Sequence, residues 1–279
     1  MSYVLTTMRN LFPGHGETWL HYDAFHLEAV QAQIKQDGFA IVHNLVPLDI
    51  IATIRKTWPA RFTQEPNLPR VTWAPSMGQA NTIGFTDDAF QCLYRSCEFL
   101  WNATDDQTTR EVCIRLHALR NLICHLPPLT GLLYAPNRYG IFITTSYYPP
   151  GKGWLEFHAD GVATDIPLLH HIVPLTIKGV DYQQGGLAII NRQGKEIDVD
   201  AQMPLGSVLF YDGALKHGVR MVQGGLGRLQ MFGIPTTFVN PQDNVYWLST
   251  VRWRMFLKAK AMALKNRCVL AMGLSQVIR

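Results

Sequence analysis

Charged side chains are scarce in this chain of 279 residues, because Asp, Glu, Lys and Arg make up only 16% of it. Hydrophobic residues make up 47%, and this balance excludes an intrinsically disordered chain. The net charge of +4 is modest for a nucleic-acid-binding protein. One basic run near the C-terminus is more typical of the solvated face of a helix. It contains Arg252, Arg254, Lys258, Lys260, Lys265 and Arg267.

The cysteines indicate neither a zinc knuckle nor a disulfide scaffold, because their number is odd and no pair is spaced Cys-x-x-Cys. They are Cys92, Cys97, Cys113, Cys124 and Cys268. No stretch approaches the roughly 18 apolar residues that a membrane span needs. The N-terminus also lacks the basic and apolar regions of a signal peptide. We therefore expect a soluble cytoplasmic protein with no membrane partner.

Nucleotide-binding and serine-hydrolase signatures are missing as well, since the chain has no Gly-x-Gly-x-x-Gly, P-loop or Ser-centred nucleophile elbow.

Up to about residue 139, apolar residues recur mainly at helical spacing around one short strand. The predicted elements are helices at 25–36, 47–58, 88–101 and 106–126, a strand at 39–42, and an irregular stretch at 59–90. A long irregular stretch in a compact domain often forms a lid or a binding loop.

From Tyr139 onward, short β-branched and aromatic runs alternate with Gly and Pro, which predicts strands and turns. Such a series of short strands indicates a jelly roll or double-stranded β-helix, the architecture of cupins. The predicted strands are Tyr139–Tyr148, Gly153–His158, Leu168–Ile177, Leu187–Asn191, Lys195–Val199, Ser207–Tyr211, His217–Val222 and Arg228–Phe238.

We therefore expect one domain over residues 1–279, of the α+β class with a mostly β core. The core would span about 139–238, after a helical part at about 25–128 and before a C-terminal helix at about 245–270. The helices of the first part would cover the outside of one sheet.

His158 and Asp160 form a His-x-Asp pair at the end of the second predicted strand. Side chains two positions apart on an extended chain share a face, so both can bind one metal ion. His217, at the start of the seventh predicted strand, could complete a facial triad of the kind that holds non-haem Fe(II). Such short motifs also arise by chance, and the competing interpretation is a surface or hydrogen-bonded histidine.

Arg228 opens the eighth predicted strand, eleven residues after His217. An arginine fork at this point could bind the distal carboxylate of a dicarboxylic cosubstrate, which a lysine would do less well. Taken alone, Arg228 is better interpreted as a surface arginine after a Gly-rich turn. The triad at this spacing favours the functional interpretation.

These residues resemble the phytanoyl-CoA-dioxygenase-like branch of the Fe(II)/2-oxoglutarate-dependent oxygenases. The pattern consists of His158-Ala159-Asp160, then His217, then Arg228. Segments 180–187, 204–213 and 36–47 are similar to the family's turn after the third core strand, its approach to the second histidine and its opening. The resemblance covers about residues 25–240, with 60–135 and the C-terminal tail unmatched.

The resemblance implies a double-stranded β-helix with Fe(II) held by His158, Asp160 and His217. 2-Oxoglutarate would bind the metal with its far carboxylate on Arg228, and O₂ would take the remaining site. The products would be succinate, CO₂ and an oxidised small molecule, such as a secondary metabolite or an amino-acid derivative. Since halogenating relatives lack the carboxylate ligand, Asp160 favours hydroxylation or another oxidation.

Two positions depart from the family pattern, because Val219 and Gln230 stand where hydroxyl residues usually help to hold 2-oxoglutarate. Thr145 and Thr176 are plausible substitutes from neighbouring strands. Tyr147, Tyr148 and Trp154 flank the metal-binding strand and could line a substrate pocket, although aromatic residues in a β core are usually packing residues. Tyr147 and Trp154 are the two that we predict to line it.

His170 and His171 lie mid-strand, so one should point into the core and the other away from it. Either could reach the site, but packed histidines are the favoured interpretation. Two rival functions stay open. The first is a non-catalytic cupin-like metal-binding or sensor protein, and the second is a nucleic-acid oxygenase that uses the basic C-terminal helix.

Overall fold

The computed structural model describes residues 3–12, 19–63, 80–83, 91–99, 107–132, 139–160 and 167–237. Its helices are α1 (Tyr3–Leu11), α2 (Leu27–Asp37), α3 (Leu48–Thr63) and α4 (Gln107–Ile123). Its strands are β1 (Phe39–Val42), β2 (Ala80–Ile83), β3 (Gln91–Phe99), β4 (Tyr139–Tyr148), β5 (Trp154–His158), β6 (Leu169–Pro174), β7 (Gln184–Ile190), β8 (Glu196–Asp198), β9 (Val208–Asp212), β10 (His217–Gln223) and β11 (Arg228–Thr237). None of the described helices has the length and apolarity to cross a membrane.

The strands form two antiparallel sheets that β3 joins. The larger sheet has the order β1-β9-β6-β11-β4-β3, and the smaller has the order β5-β10-β7-β8. Strand β3 pairs with β4 in the larger sheet and with β5 in the smaller one, and β2 pairs with β3. Non-consecutive strands are neighbours in both sheets, which is the connectivity of a jelly-roll core.

Two hydrophobic clusters hold the fold together. The first lies between the helices and one face of the larger sheet, with Leu116 of α4 packed among residues such as Ile141 and Met231. The second lies inside the jelly roll, and includes Leu187 and Phe232. Because helices cover one face of the larger sheet and β strands the other, every residue of β6 is buried.

The sequence predicted the β core closely. All eight strands predicted after residue 139 are present, each within a few residues of its expected bounds. The strand at 39–42 and the helix at 106–126 are also confirmed, as Phe39–Val42 and Gln107–Ile123. The helices do cover the outside of one sheet, as expected.

The segment between α3 and α4 differs from the prediction. The helix expected at 88–101 is wrong, because Gln91–Phe99 is a strand that pairs with both β4 and β5. Long-range pairing of this kind overrides a local pattern that fits a helix. The stretch expected to be irregular at 59–90 contains the end of α3 and the strand β2. The helix expected at 245–270 lies outside the described residues.

Gly38 ends α2 and turns the chain into β1. Its φ of 84° is in the left-handed region, and its N–H donates to the Ile34 carbonyl at 2.8 Å. This is the usual glycine end of a helix. A Cβ atom at Gly38 would also lie 2.4 Å from a methyl carbon of Leu215, in the loop before His217.

Candidate metal centre

The three predicted metal ligands meet at one end of the smaller sheet. His158 is the last residue of β5, Asp160 follows two positions later, and His217 is the first residue of β10. The antiparallel register places His158 directly opposite His217. Strand pairing therefore brings the two histidines together, and Asp160 follows directly from the end of β5.

Their donor atoms converge on one point. Single ligand atoms of His158, Asp160 and His217 all lie within 4.8 Å of one another. The Asp160 carboxylate lies 3.5 Å from His158 Nε2 and 3.7 Å from His217 Nε2. Two imidazoles and one carboxylate on one side of a point leave the opposite side open, which is the geometry of a facial triad.

Backbone carbonyls fix the orientation of both imidazoles. His158 Nδ1 lies 2.8 Å from the Glu156 carbonyl, and His217 Nδ1 lies 2.8 Å from the Leu215 carbonyl. A carbonyl only accepts a hydrogen bond, so each Nδ1 carries the proton and each Nε2 presents a lone pair. Such outer hydrogen bonds are usual for histidines that bind a metal.

The backbone of Asp160 is held by the loop before β10, and its carboxylate lies beside a third imidazole. The Asp160 N–H donates to the Gly213 carbonyl at 2.9 Å. The Asp160 carboxylate lies 3.4 Å from His170 Nδ1, which is also 3.1 Å from the Tyr211 hydroxyl. Gly213 permits this approach, because a Cβ atom there would lie 2.8 Å from His170 Nε2.

Burial and charge act in opposite directions on these groups. Burial alone would raise the pKa of Asp160, but the neighbouring imidazoles of His158, His170 and His217 bring it below its usual value. Burial lowers the pKa of His217, against the attraction of the Asp160 carboxylate. Burial likewise lowers the pKa of His170 to about 4. At neutral pH the site therefore offers an ionised carboxylate at Asp160 and a neutral imidazole at His217, the forms that bind a metal.

A cavity of about 220 Å³ opens beside the triad, between the two sheets. Among the described residues that line it, none is a lysine or an arginine. The lining residues are Tyr148, Leu155, His158, Asp160, His170, Ile172, Leu187, Tyr211, His217, Val219, Gln230, Phe232 and Ile234. Within the described chain, Gln230 Oε1 and His170 Nε2 are buried without a hydrogen-bond partner. Both atoms are therefore available to a ligand.

Arg228 lies behind this cavity, paired with a carboxylate that the sequence pattern did not indicate. Its Nε donates to Asp200 Oδ2 at 2.5 Å and its Nη2 donates to Asp200 Oδ1 at 3.0 Å. Tyr182 O–H and Leu187 N–H also donate to Asp200 Oδ2, at 2.6 and 2.7 Å. Asp200 and Arg228 are 6% and 2% exposed, so this is a buried, hydrogen-bonded ion pair.

The pair stabilises the charged form of both groups. Burial would raise the pKa of the Asp200 carboxyl, but the charge and hydrogen bonds of Arg228 bring it below its usual value. Burial would lower the pKa of Arg228, and the Asp200 carboxylate raises it instead. The remaining guanidinium nitrogen, Nη1, is buried and has no hydrogen-bond partner among the described residues.

The residues predicted around the cosubstrate are only partly brought together. Gln230 and Val219 line the cavity. Thr145 pairs with Met231 of β11, whose side chain belongs to the helix-facing cluster, and Thr145 does not line the cavity. Thr176 accepts a hydrogen bond from the Leu229 N–H at 2.7 Å, so its hydroxyl serves the backbone next to Arg228.

The two aromatic residues predicted to line a substrate pocket, Tyr147 and Trp154, do not line the cavity. Tyr147 packs against the helix-facing cluster and its hydroxyl donates to the Leu226 carbonyl at 3.0 Å. Trp154 does not line the cavity either, because it alternates with Leu155, which does. The neighbouring Tyr148 is the aromatic residue of this group that faces the cavity.

The histidine pair divides between the two faces of β6, as alternation predicts. His170 faces the cavity and contacts the metal site, so the interpretation of His170 as a mere packing residue is wrong. His171 faces the helices, with its ring 6.4 Å from that of Phe210 and 6.5 Å from that of His117. His170 and Asp200 are thus the two site residues whose roles the sequence did not reveal. One sequence signal could have indicated the role of His170: side chains alternate between the two faces of a buried strand, so one histidine of the pair must face the interior of the jelly roll.

No protein-family model matches the sequence, and no curated protein matches it. Solved structures do share its fold. A prolyl-4-hydroxylase from Pseudomonas putida is 16% identical, with a TM-score of 0.54 over 76% of this chain and 99% of that one. AviO1 from Streptomyces viridochromogenes Tue57 is also 16% identical, with a TM-score of 0.52 over 76% of this chain and 95% of that one. At 16% identity, these likenesses show a shared fold.

Proposed function

We propose that this chain is an Fe(II)- and 2-oxoglutarate-dependent oxygenase that oxidises a small molecule and releases succinate and CO₂. The observation that carries the proposal is the convergence of His158 Nε2, His217 Nε2 and the Asp160 carboxylate beside an open cavity. The fold shared with a prolyl-4-hydroxylase supports it. In this proposal the jelly roll is a double-stranded β-helix, and the chain falls in the phytanoyl-CoA-dioxygenase-like branch.

The donor set fits iron. Imidazole nitrogens and a carboxylate oxygen suit a divalent transition metal, and the triad with an open face is typical of non-haem Fe(II). With 2-oxoglutarate and O₂ bound, the iron would supply an oxidant for an unreactive C–H bond. The chain's own contribution is to fix the three ligands, to orient the imidazoles of His158 and His217 with Nε2 towards the metal, and to exclude water.

The residues also fit a 2-oxo acid, although with fewer donors than the sequence predicted. Among the described residues, Arg228 Nη1 is buried without a partner and can donate to a carboxylate. Gln230, on the same face of β11, offers an amide to the cavity. The cavity of about 220 Å³ and its largely apolar lining suit a small organic substrate better than a polymer. The cytoplasmic location remains a prediction of the sequence.

An anaerobic titration tests this function. Metal-free protein receives Fe(II) and then 2-oxoglutarate, and the weak visible charge-transfer band of the chelate is recorded. We expect the band in wild type, its loss in His217→Ala, and its retention in the control His26→Ala, whose side chain is exposed. Iron binding without the band in wild type would refute the oxygenase assignment.

A second candidate function is a non-catalytic metal-binding or sensor protein, and the observation that favours it is the pairing of Arg228 with Asp200. An arginine that already has a carboxylate partner has less need of a dicarboxylic cosubstrate. The same titration separates the two functions, because a sensor would bind the metal without the chelate band.

A further inference from the structure

Arg228 has a resident counter-ion in this chain. Asp200 occupies both Nε and Nη2 of the guanidinium, which is the bidentate arrangement that a ligand carboxylate would otherwise adopt. Tyr182 and the Leu187 N–H hold the Asp200 carboxylate from the other side. Gly186, with a φ of 98°, is required here, because a Cβ atom would lie 2.3 Å from Asp200 Oδ2.

The ion pair lies directly behind the cavity wall. Arg228 stacks on Tyr148, with Cζ 5.4 Å from the ring centroid, and Tyr148 lines the cavity. Leu187 donates its N–H to Asp200 and lines the cavity with its side chain. Gln230 follows Arg228 on the same face of β11. Arg228 therefore lies behind this end of the cavity as a neutralised ion pair, in which the described residues leave only Nη1 without a partner.

We propose that Asp200 determines cosubstrate specificity by competing with the distal carboxylate of 2-oxoglutarate for Arg228. The inference rests on the proposed function and refines its cosubstrate. A buried carboxylate bound on two nitrogens leaves little net positive charge to attract a second carboxylate. The site then binds 2-oxo acids mainly through the metal, and discriminates weakly against those that lack a distal carboxylate.

The test compares two ligands of equal length, 2-oxoglutarate and 2-oxopentanoate, in which a methyl group replaces the distal carboxylate. Affinities come from the anaerobic charge-transfer titration, on wild type and on Asp200→Asn. The variant removes the charge but keeps an oxygen that can accept from Tyr182 and Leu187. We expect wild type to prefer 2-oxoglutarate by less than about tenfold, and the variant to raise that preference by at least about tenfold.

Thermal unfolding supplies a second readout that needs no turnover. With its counter-ion removed, Arg228 is a buried unpaired charge, so Asp200→Asn should lower the unfolding midpoint. Added 2-oxoglutarate should restore more of that midpoint than 2-oxopentanoate does. The control is Glu196→Gln, which removes one carboxylate from a bidentate pair with Arg220 that is exposed at the surface. It should alter neither the ligand preference nor the response to 2-oxoglutarate.

The outcomes separate this inference from the proposed function. If neither acid gives a band in wild type or variant although iron binds, the proposed function fails and the inference fails with it. If the band forms, but wild type already prefers 2-oxoglutarate by far more than tenfold, only the inference is overturned. That measurement on wild type decides the matter even if Asp200→Asn does not fold. Weaker 2-oxoglutarate binding in the variant would also overturn it, and would make Asp200 a residue that positions Arg228.

Discussion

Replacing His171 by leucine should flatten the acid side of the pH–stability profile. Both ring nitrogens of His171 are buried and lack hydrogen-bond partners within the described chain. Burial lowers the pKa of this histidine from 6.5 to about 3. Below pH 6.5 the unfolded chain therefore binds a proton that the folded chain does not, so stability falls as the pH falls towards 3.

The size of the effect follows from the two pKa values. Between pH 7 and pH 5, one histidine with an unfolded pKa near 6.5 and a folded pKa near 3 removes about 2 kcal/mol from the free energy of unfolding. His171→Leu should remove this contribution and leave those of the other buried histidines. The ring makes no hydrogen bond to the described residues, so the change in slope should be separable from any change in stability at pH 7.

Urea unfolding of metal-free protein at pH 7, 6 and 5 measures the difference. The variant should lose about 2 kcal/mol less than wild type over this interval. His26→Leu is the control, because leucine replaces an exposed histidine in this variant. It should follow the wild-type profile. Equal slopes for wild type and His171→Leu would show that His171 is protonated in the folded state, contrary to the burial argument.

Three further substitutions test the packing of the larger sheet and the geometry of the metal site. Gly233→Ala should destabilise the protein by about 1–3 kcal/mol in urea unfolding, because the new Cβ would lie 2.1 Å from a ring carbon of His171. Asp160→Asn should weaken Fe(II) binding by at least about 100-fold in calorimetry, since a neutral amide replaces the only anionic ligand of the triad. Gly218→Ala should also weaken Fe(II) binding, by roughly 10- to 100-fold, because its Cβ would lie 2.7 Å from Phe157 Cδ2 and separate β5 from β10. Unchanged affinity in either of the last two would contradict the assigned geometry.

The β core and the triad could be predicted from the sequence because both depend on local patterns. Each strand after residue 139 shows β-branched or aromatic runs closed by Gly or Pro. His158 and Asp160 are two residues apart, so their proximity follows from extended geometry alone. His217 required one assumption about strand neighbours, which the pairing of β5 with β10 confirms.

What could not be predicted depends on contacts between distant segments. Asp200 follows β8 at the start of a short 3₁₀ turn, in a run of alternating acidic and apolar residues that is typical of a solvated strand edge. Its partner Arg228 lies 28 residues away, and only the folded sheets bring them together. Strand β3 was missed for the same reason, because its partners β4 and β5 come later in the chain.

The metal site depends on an irregularity that no periodic pattern encodes. His217 is opposite His158, whereas Val219 is opposite Leu155, so two steps along β10 match three along β5. If side chains alternated strictly from Leu155 onward, His158 would face away from the cavity. Leu155 and His158 nevertheless both line it. Gly218 lies at this bulge, where a Cβ atom would be 2.8 Å from the Leu155 carbonyl oxygen. The absence of a side chain at Gly218 therefore lets β5 approach β10 closely enough for His158 to face the same point as His217.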